Sequence, residues 1–179
     1  MAANHRCASA ELFHDIVRVK PTTFNRCAEV IEYDAAGEAY APVDKAAAQE
    51  IFGRALELYE GIEEVEEELY YTAGQCIYTD LFVYRDKKNA DAQADLQLLL
   101  KIAYAARGWY RIKPNDGSLK LMGNAYHDCC GYKEFDYEGA KESIDEVIAL
   151  LEKAISEGNK KMEAVLKGLQ AAIKHHCKK

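Results

Sequence analysis

The stretch GIEEVEEELYYTAGQCIYTDLFVYRD, residues 61–86, carries apolar side chains at three- and four-residue steps. These are Ile62, Val65, Leu69, Ala73, Cys76, Ile77, Leu81 and Tyr84. Such spacing places one apolar stripe along a helix, where it can face a protein core. At about 1.5 Å per residue this helix would be roughly 35 to 40 Å long. We therefore expect it to form the central rod of a helical domain.

Helical periodicity also occurs on both sides of this stretch. A first helix can begin at Ser9, others can follow Asp44 and Asn89, and two more lie between residue 137 and the C terminus. Residues 28–43 fit a helix or two short strands joined at Asp34 to Gly37, and the hairpin is slightly favoured. Residues 111–137 predict a loop with one helical turn near residues 119–126. The sequence thus predicts a single all-α domain over residues 1–179, a bundle of about six helices with one small β-hairpin near residues 28–43.

The composition is that of a folded protein, with 49% apolar and 30% charged residues among 179. No run of 18 apolar residues occurs, and the N-terminal segment lacks the unbroken apolar stretch of a signal peptide. Six cysteines form no CxxC pair, which favours reduced thiols. We expect a soluble cytoplasmic protein that does not associate with membranes.

Negative charge is concentrated in one part of the chain. Residues 28–80 contain 14 acidic and two basic side chains, a net charge of −12, whereas the whole chain carries −7. Phosphates would be repelled by this segment, so a basic protein is a more plausible partner than duplex nucleic acid.

One face of the predicted rod begins with a row of glutamates. The predicted partner-binding residues are Glu60, Glu63, Glu64, Glu67 and Glu68. Carboxylates spaced along a helix can imitate nucleic-acid phosphates and occupy a basic groove, although a charge run is more often a solvated helix face. The favoured hypothesis is a non-enzymatic interaction protein that binds a basic surface of a nucleic-acid-handling protein. In one version of this hypothesis the protein is an inhibitor or a nucleic-acid mimic.

The alternative is an Mg²⁺-dependent all-α nucleotide phosphohydrolase that uses the same clustered carboxylates. Glu63, Glu64, Glu67 and Asp80 look like the metal-binding set of all-α nucleoside triphosphate pyrophosphohydrolases. Ile77 stands where that pattern has a second glutamate, and acids on one helix cannot wrap a metal ion. No motif establishes an enzymatic activity, so a non-enzymatic role without a cofactor is preferred.

Three further groups of residues are candidates for binding. An aromatic and basic contact is predicted at Arg107, Trp109, Tyr110 and Arg111, although a lone tryptophan more often packs at a core edge. Imidazole and thiolate are zinc ligands, so a metal site is a second hypothesis. Its candidate ligands are His127, Cys129, Cys130, His175 and His176. Glu11 and His14 form one ExxH pair, but a di-iron carboxylate bundle needs two such pairs and no second one is present.

Overall fold

A computed structural model describes residues 2–62, 71–78 and 92–178, and these residues form helices and short connections without a strand. The helices are α1 (Ala2–Val19), α2 (Thr23–Tyr40), α3 (Lys45–Glu60), α4 (residues 71–78), α5 (Ala92–Ile112), α6 (Asp116–Cys129), α7 (Tyr137–Ser156) and α8 (Met162–His176). The all-α class is confirmed. The predicted number of about six helices is too low, since the described residues already form eight helical segments.

The chain divides into two compact units, Met1–Ala90 and Asp91–Lys179. Unit 1 contains α1 to α4 and unit 2 contains α5 to α8. The single domain over residues 1–179 stays a prediction, because contacts within each unit do not measure whether the two unfold together.

The predicted hairpin near residues 28–43 is wrong, because α2 continues through this segment to Tyr40. Gly37, which suggested a turn, is buried inside the helix, where a Cβ atom would lie only 2.6 Å from Cε1 of Phe52 on α3. The glycine therefore serves the close approach of two helices and not a turn. The chain reverses after Tyr40, and Asp44 caps α3 by accepting hydrogen bonds from the backbone amides of Ala46 and Ala47.

The loop predicted for residues 111–137 is largely helical, because α6 spans Asp116–Cys129. Asn115 begins this helix, since its side chain accepts a hydrogen bond from the amide of Ser118 at 2.9 Å. Leu119, Met122 and Tyr126 are buried at helical spacing. The irregular part of the segment is therefore limited to the turns on either side of α6.

In unit 1, α2 packs against both α1 and α3. Thr22 caps α2 through its side-chain oxygen, which accepts a hydrogen bond from the amide of Asn25 at 3.2 Å. Buried Val30 on α2 and buried Phe52 on α3 contribute to the core of this unit. The helix α2 therefore packs against both neighbours, and residues of all three helices line the site described below.

In unit 2, α6 contacts α5, α7 and α8 and is the central helix. Gly123 permits the close approach of α8, because a Cβ atom at this position would overlap Cγ1 of Val165. After α7, Gly158 has a φ of +100°, a left-handed conformation that favours glycine and ends the helix.

The central rod predicted for residues 61–86 can be evaluated at two places. Ile62 is buried, and residues 71–78 are helical with Ala73 and Ile77 buried, as their spacing predicted, whereas Cys76 of the same stripe is only partly buried. The remaining residues of the predicted rod lie outside the described part of the chain.

Candidate functional site

A cleft of about 530 Å³ opens on unit 1. Three helices supply its walls: α1, α2 and α3. The lining residues are Glu11, His14, Tyr33, Glu50, Ile51, Gly53, Arg54 and Glu57. This volume lies within the range of about 300 to 1,000 Å³ that is usual for small-ligand sites.

His14 on α1 is held in one orientation by Glu29 on α2. Nδ1 of His14 lies 2.7 Å from Oε1 of Glu29, whose side chain is only 1% exposed. An ionised carboxylate accepts hydrogen bonds and does not donate them, so Nδ1 of His14 is the donor to Glu29. The imidazole is one-third exposed and lines the cleft, which leaves Nε2 as the ring nitrogen that a ligand can reach. The hydrogen bond from His14 also offsets part of the free energy that is lost when the Glu29 carboxylate is buried away from water.

A second hydrogen bond joins the same two helices about one turn away. The Tyr33 hydroxyl donates to Oε1 of Glu11 at 3.1 Å. Burial, together with this hydrogen bond and the negative charge of Glu11, raises the pKa of Tyr33 to about 12. Tyr33 therefore stays neutral at physiological pH and fixes Glu11 at the wall of the cleft.

The helix α3 supplies five of the lining residues. Glu50 and Glu57 are exposed, and Nη1 of Arg54 lies 3.3 Å from Oε2 of Glu57. An exposed pair three residues apart on a helix contributes little to stability. Gly53 lies between these side chains, and a Cβ atom added there would have no neighbour within 4 Å. The α3 part of the lining therefore carries two carboxylates and one guanidinium, with no side chain at position 53.

The predicted glutamate face is only partly within the described residues. Glu60, at the end of α3, is exposed and lies on the side of the helix that also carries Glu50 and Glu57. Glu63, Glu64, Glu67 and Glu68 lie outside the described part of the chain, as does Asp80 of the phosphohydrolase hypothesis.

The predicted aromatic and basic contact lies at the end of α5. Arg107 donates hydrogen bonds to Ser143 and Glu146 on α7, and Arg111 also bonds to Glu146. Burial opposes ionisation of Glu146, but the hydrogen bonds and charges of the two arginines outweigh it and keep the pKa of Glu146 below its ordinary value. Both guanidinium groups thus join α5 to α7 within unit 2.

Trp109 and Tyr110 are both partly exposed. Tyr110 lines a second cavity of about 310 Å³, which includes Asp116 and Asn159. There the Asn159 side-chain amide donates to Oδ1 of Asp116 at 2.8 Å. Much of the hydrogen-bonding capacity of this second cavity is therefore used within the protein.

The predicted metal ligands do not converge on one point. Nδ1 of His176 lies 3.1 Å from the backbone oxygen of Cys130, and Nδ1 of His127 lies 2.7 Å from Asp128. Burial raises the pKa of the Cys129 thiol, which disfavours the thiolate that a metal needs. Among the residues that the structure describes, no group of three or more His, Cys, Asp and Glu side chains could hold a metal ion.

Sequence reasoning missed the cleft as a site. It noted the ExxH pair of Glu11 and His14, which the structure does place on one wall, but searched only for a second ExxH pair. Glu11 and His14 are three residues apart and Glu29 and Tyr33 are four apart, so a search for two polar pairs at helical spacing on consecutive helices would have found the signal.

Comparisons of the chain with protein families, with curated proteins and with solved structures give no match. No helix of the described residues combines the length and the apolar character needed to cross a membrane.

Proposed function

We propose that the protein is a non-enzymatic interaction protein whose acidic surface on unit 1 binds a basic protein. The observation that carries this proposal is the alignment of Glu50, Glu57 and Glu60 along one exposed face of α3, beside the cleft. Carboxylates fixed on one helix face can make charge-assisted hydrogen bonds to lysine and arginine side chains without much reorganisation.

Charge distribution supports the same proposal. The described acids of α3 belong to the segment of residues 28–80 with net charge −12, whose sequence continues into Glu63, Glu64, Glu67 and Glu68. Such a concentration raises the rate of association with a positively charged surface. A partner that normally binds nucleic acid offers such a surface, and the protein would then act as an inhibitor that mimics nucleic acid.

The test compares two triple variants with equal changes in charge. The first replaces Glu50, Glu57 and Glu60 by Gln. The control replaces Glu138, Glu142 and Glu152 by Gln, three exposed acids of α7 in unit 2. Partners are captured from a lysate of the source cell, identified by mass spectrometry and eluted with rising salt, since the Debye length falls from about 10 Å at 0.1 M to about 3 Å at 1 M.

The expected result is a basic partner that is retained by the wild type and by the control but lost by the first variant. Competition by added nucleic acid would then identify the protein as a mimic. Equal retention by both triple variants would refute the proposal, because general charge would be sufficient to explain binding.

A further inference from the structure

The outer face of α1 carries an exposed apolar stripe. Leu12, Ile16 and Val19 are 60%, 36% and 88% exposed. At about 100° per residue, these side chains lie on the side of α1 opposite to buried Ala10, and so point away from α2. Their spacing of four and three residues is that of a seam between two helices, in which one narrow stripe faces one partner helix. The helix α1 therefore has a second apolar face in addition to the one that packs in unit 1.

Two side chains of opposite charge border this stripe on the same flank of α1. Nη1 of Arg18 lies 3.8 Å from Oδ1 of Asp15, and both side chains are largely exposed. An exposed pair at this distance contributes little to stability, because it is solvated and its long side chains are mobile. Both charged groups can therefore exchange each other for partners on another molecule.

The apolar stripe is complementary to a second copy of itself in antiparallel orientation. We place the twofold axis between Ile16 and Val17, so that the two Ile16 side chains meet beside the axis. At about 1.5 Å per residue, Leu12 of one helix then lies only about 3 Å along the helix axis from Val19 of the other. The six apolar side chains of the two copies thus alternate along one continuous seam.

The same orientation also pairs the charges. Corresponding flanks meet in two antiparallel helices, and position 15 of one copy lies opposite position 18 of the other in this register. Asp15 of each copy therefore faces Arg18 of its partner, which gives two symmetric ion pairs. In a parallel pair the opposite flanks meet, and these residues would not face each other. An unrelated apolar helix could cover the stripe, but the match of both apolar residues and charges favours a second copy.

We propose that the outer face of α1 is a homodimer interface in which two copies of the chain pack antiparallel. Its residues are Leu12, Asp15, Ile16, Arg18 and Val19. The proposal is independent of the proposed function, since it uses no residue of α3. Each copy contributes only three apolar side chains, which is small for an interface, so we expect the dimer to form in the micromolar range of concentration.

Sedimentation velocity of the full chain over a range of concentrations tests the apolar seam. The principal variant is Val19→Glu, which places a carboxylate from each copy in the seam. The matched control is Val43→Glu, because Val43 is also exposed, by 80%, but lies in the turn between α2 and α3. We expect wild type and Val43→Glu to dimerise with the same dissociation constant, and Val19→Glu to stay monomeric up to about 1 mM.

Exchange of charges tests the orientation. Asp15→Arg and Arg18→Asp each leave like charges facing each other in a homodimer, so each variant alone should dimerise about tenfold more weakly than wild type. In a mixture of the two variants, each charge at these positions faces an opposite charge on the other chain. The mixture should therefore form a heterodimer with about the affinity of the wild type, and the double variant Asp15→Arg/Arg18→Asp should regain dimerisation as well.

A wild type that remains monomeric at about 1 mM would overturn the proposal. If a different protein then bound the wild type and Val43→Glu but not Val19→Glu, the outer face of α1 would belong to that partner. Equal dimerisation of Val19→Glu and Val43→Glu would show that the copies meet through another surface. Failure of the two charge variants to recover affinity on mixing would overturn the antiparallel arrangement.

Discussion

Replacing Gly37 by Ala should destabilise the protein, although alanine is the better helix former. In the structure, a Cβ atom at position 37 would lie 2.6, 2.8 and 2.9 Å from three ring carbons of Phe52. Carbon atoms in favourable contact are about 3.5 to 4.0 Å apart. The ring is 2% exposed, so it cannot swing into solvent, and either the ring or the helix must shift.

Gly53→Ala is the matched control, because it lies in the neighbouring helix and its new Cβ atom would meet nothing within 4 Å. Both substitutions gain about 0.5 to 1 kcal/mol from helix propensity. Overpacking at position 37 costs about 1 to 3 kcal/mol. Because the propensity gain is common to both variants, their difference of about 1 to 3 kcal/mol measures the contact with Phe52 alone.

Urea unfolding followed by far-UV circular dichroism provides the measurement. Gly53→Ala should unfold at a higher urea concentration than wild type, and Gly37→Ala should unfold at a clearly lower concentration than Gly53→Ala. If the two variants had the same midpoint, α2 and α3 would not approach closely at Gly37, and the packing described here for unit 1 would be wrong.

Three further predictions concern charge and cooperativity. In wild type, the pKa of Glu146 is lower in the folded than in the unfolded chain, so its ionised carboxylate stabilises the fold at pH values above its unfolded-state pKa of about 4.3. This stabilisation is lost as the pH falls through the folded-state pKa. Glu146→Gln should therefore make the free energy of unfolding depend less on pH on the acid side. Glu11→Gln should lower the pKa of Tyr33 from about 12 toward 10 without reaching 10, because burial remains its largest cause; carbon-13 NMR of the tyrosine ring measures this. Trp109 is the one tryptophan of the chain and lies in unit 2, so its fluorescence reports the unfolding of that unit. If the chain is a single domain, as predicted, this fluorescence should change at the same urea concentration as the circular dichroism of the whole chain.

Each of these has a clear contrary result. An acid profile unchanged by Glu146→Gln would mean that the two arginines do not hold that carboxylate ionised. A Tyr33 pKa that does not move in Glu11→Gln would show that the hydroxyl has another partner. Two separate urea transitions would show that the units are independent folding domains.

The helical class could be predicted because apolar residues recur at helical spacing along most of the chain. In α7, for example, Ile144, Val147 and Leu151 are all buried. The wrong prediction of a hairpin near residues 28–43 came from residue types that are common in turns but can also be buried in a helix. Gly37 and Asp34 look like turn residues, yet the glycine provides room for Phe52 and the aspartate is buried within α2. Tertiary packing overrides local preference at such positions, and a single sequence does not reveal the packing.

The candidate site was harder to predict than the fold. The chain reveals that Glu60 and its neighbours are acidic, but not that Glu11, His14, Glu29 and Tyr33 meet across two helices. That meeting depends on the relative rotation of α1 and α2, which tertiary packing determines and a single sequence does not reveal. The interest of His14 also depends on the burial of Glu29, since an exposed glutamate would not fix the imidazole ring.

The contact between Gly37 and Phe52 also connects the interior of unit 1 to its surface. Phe52 contacts α2 at Gly37, and the next residue, Gly53, lines the cleft. The distance between α2 and α3 therefore helps to set the distance from the α3 lining residues to His14 and Glu11. A larger residue at position 37 would require the Phe52 ring or α3 to shift, while every residue lining the cleft stayed the same. Variants that differ only at position 37 would keep the same lining residues around a cleft of different width. The shape of the cleft thus depends on a core position that is not part of its lining.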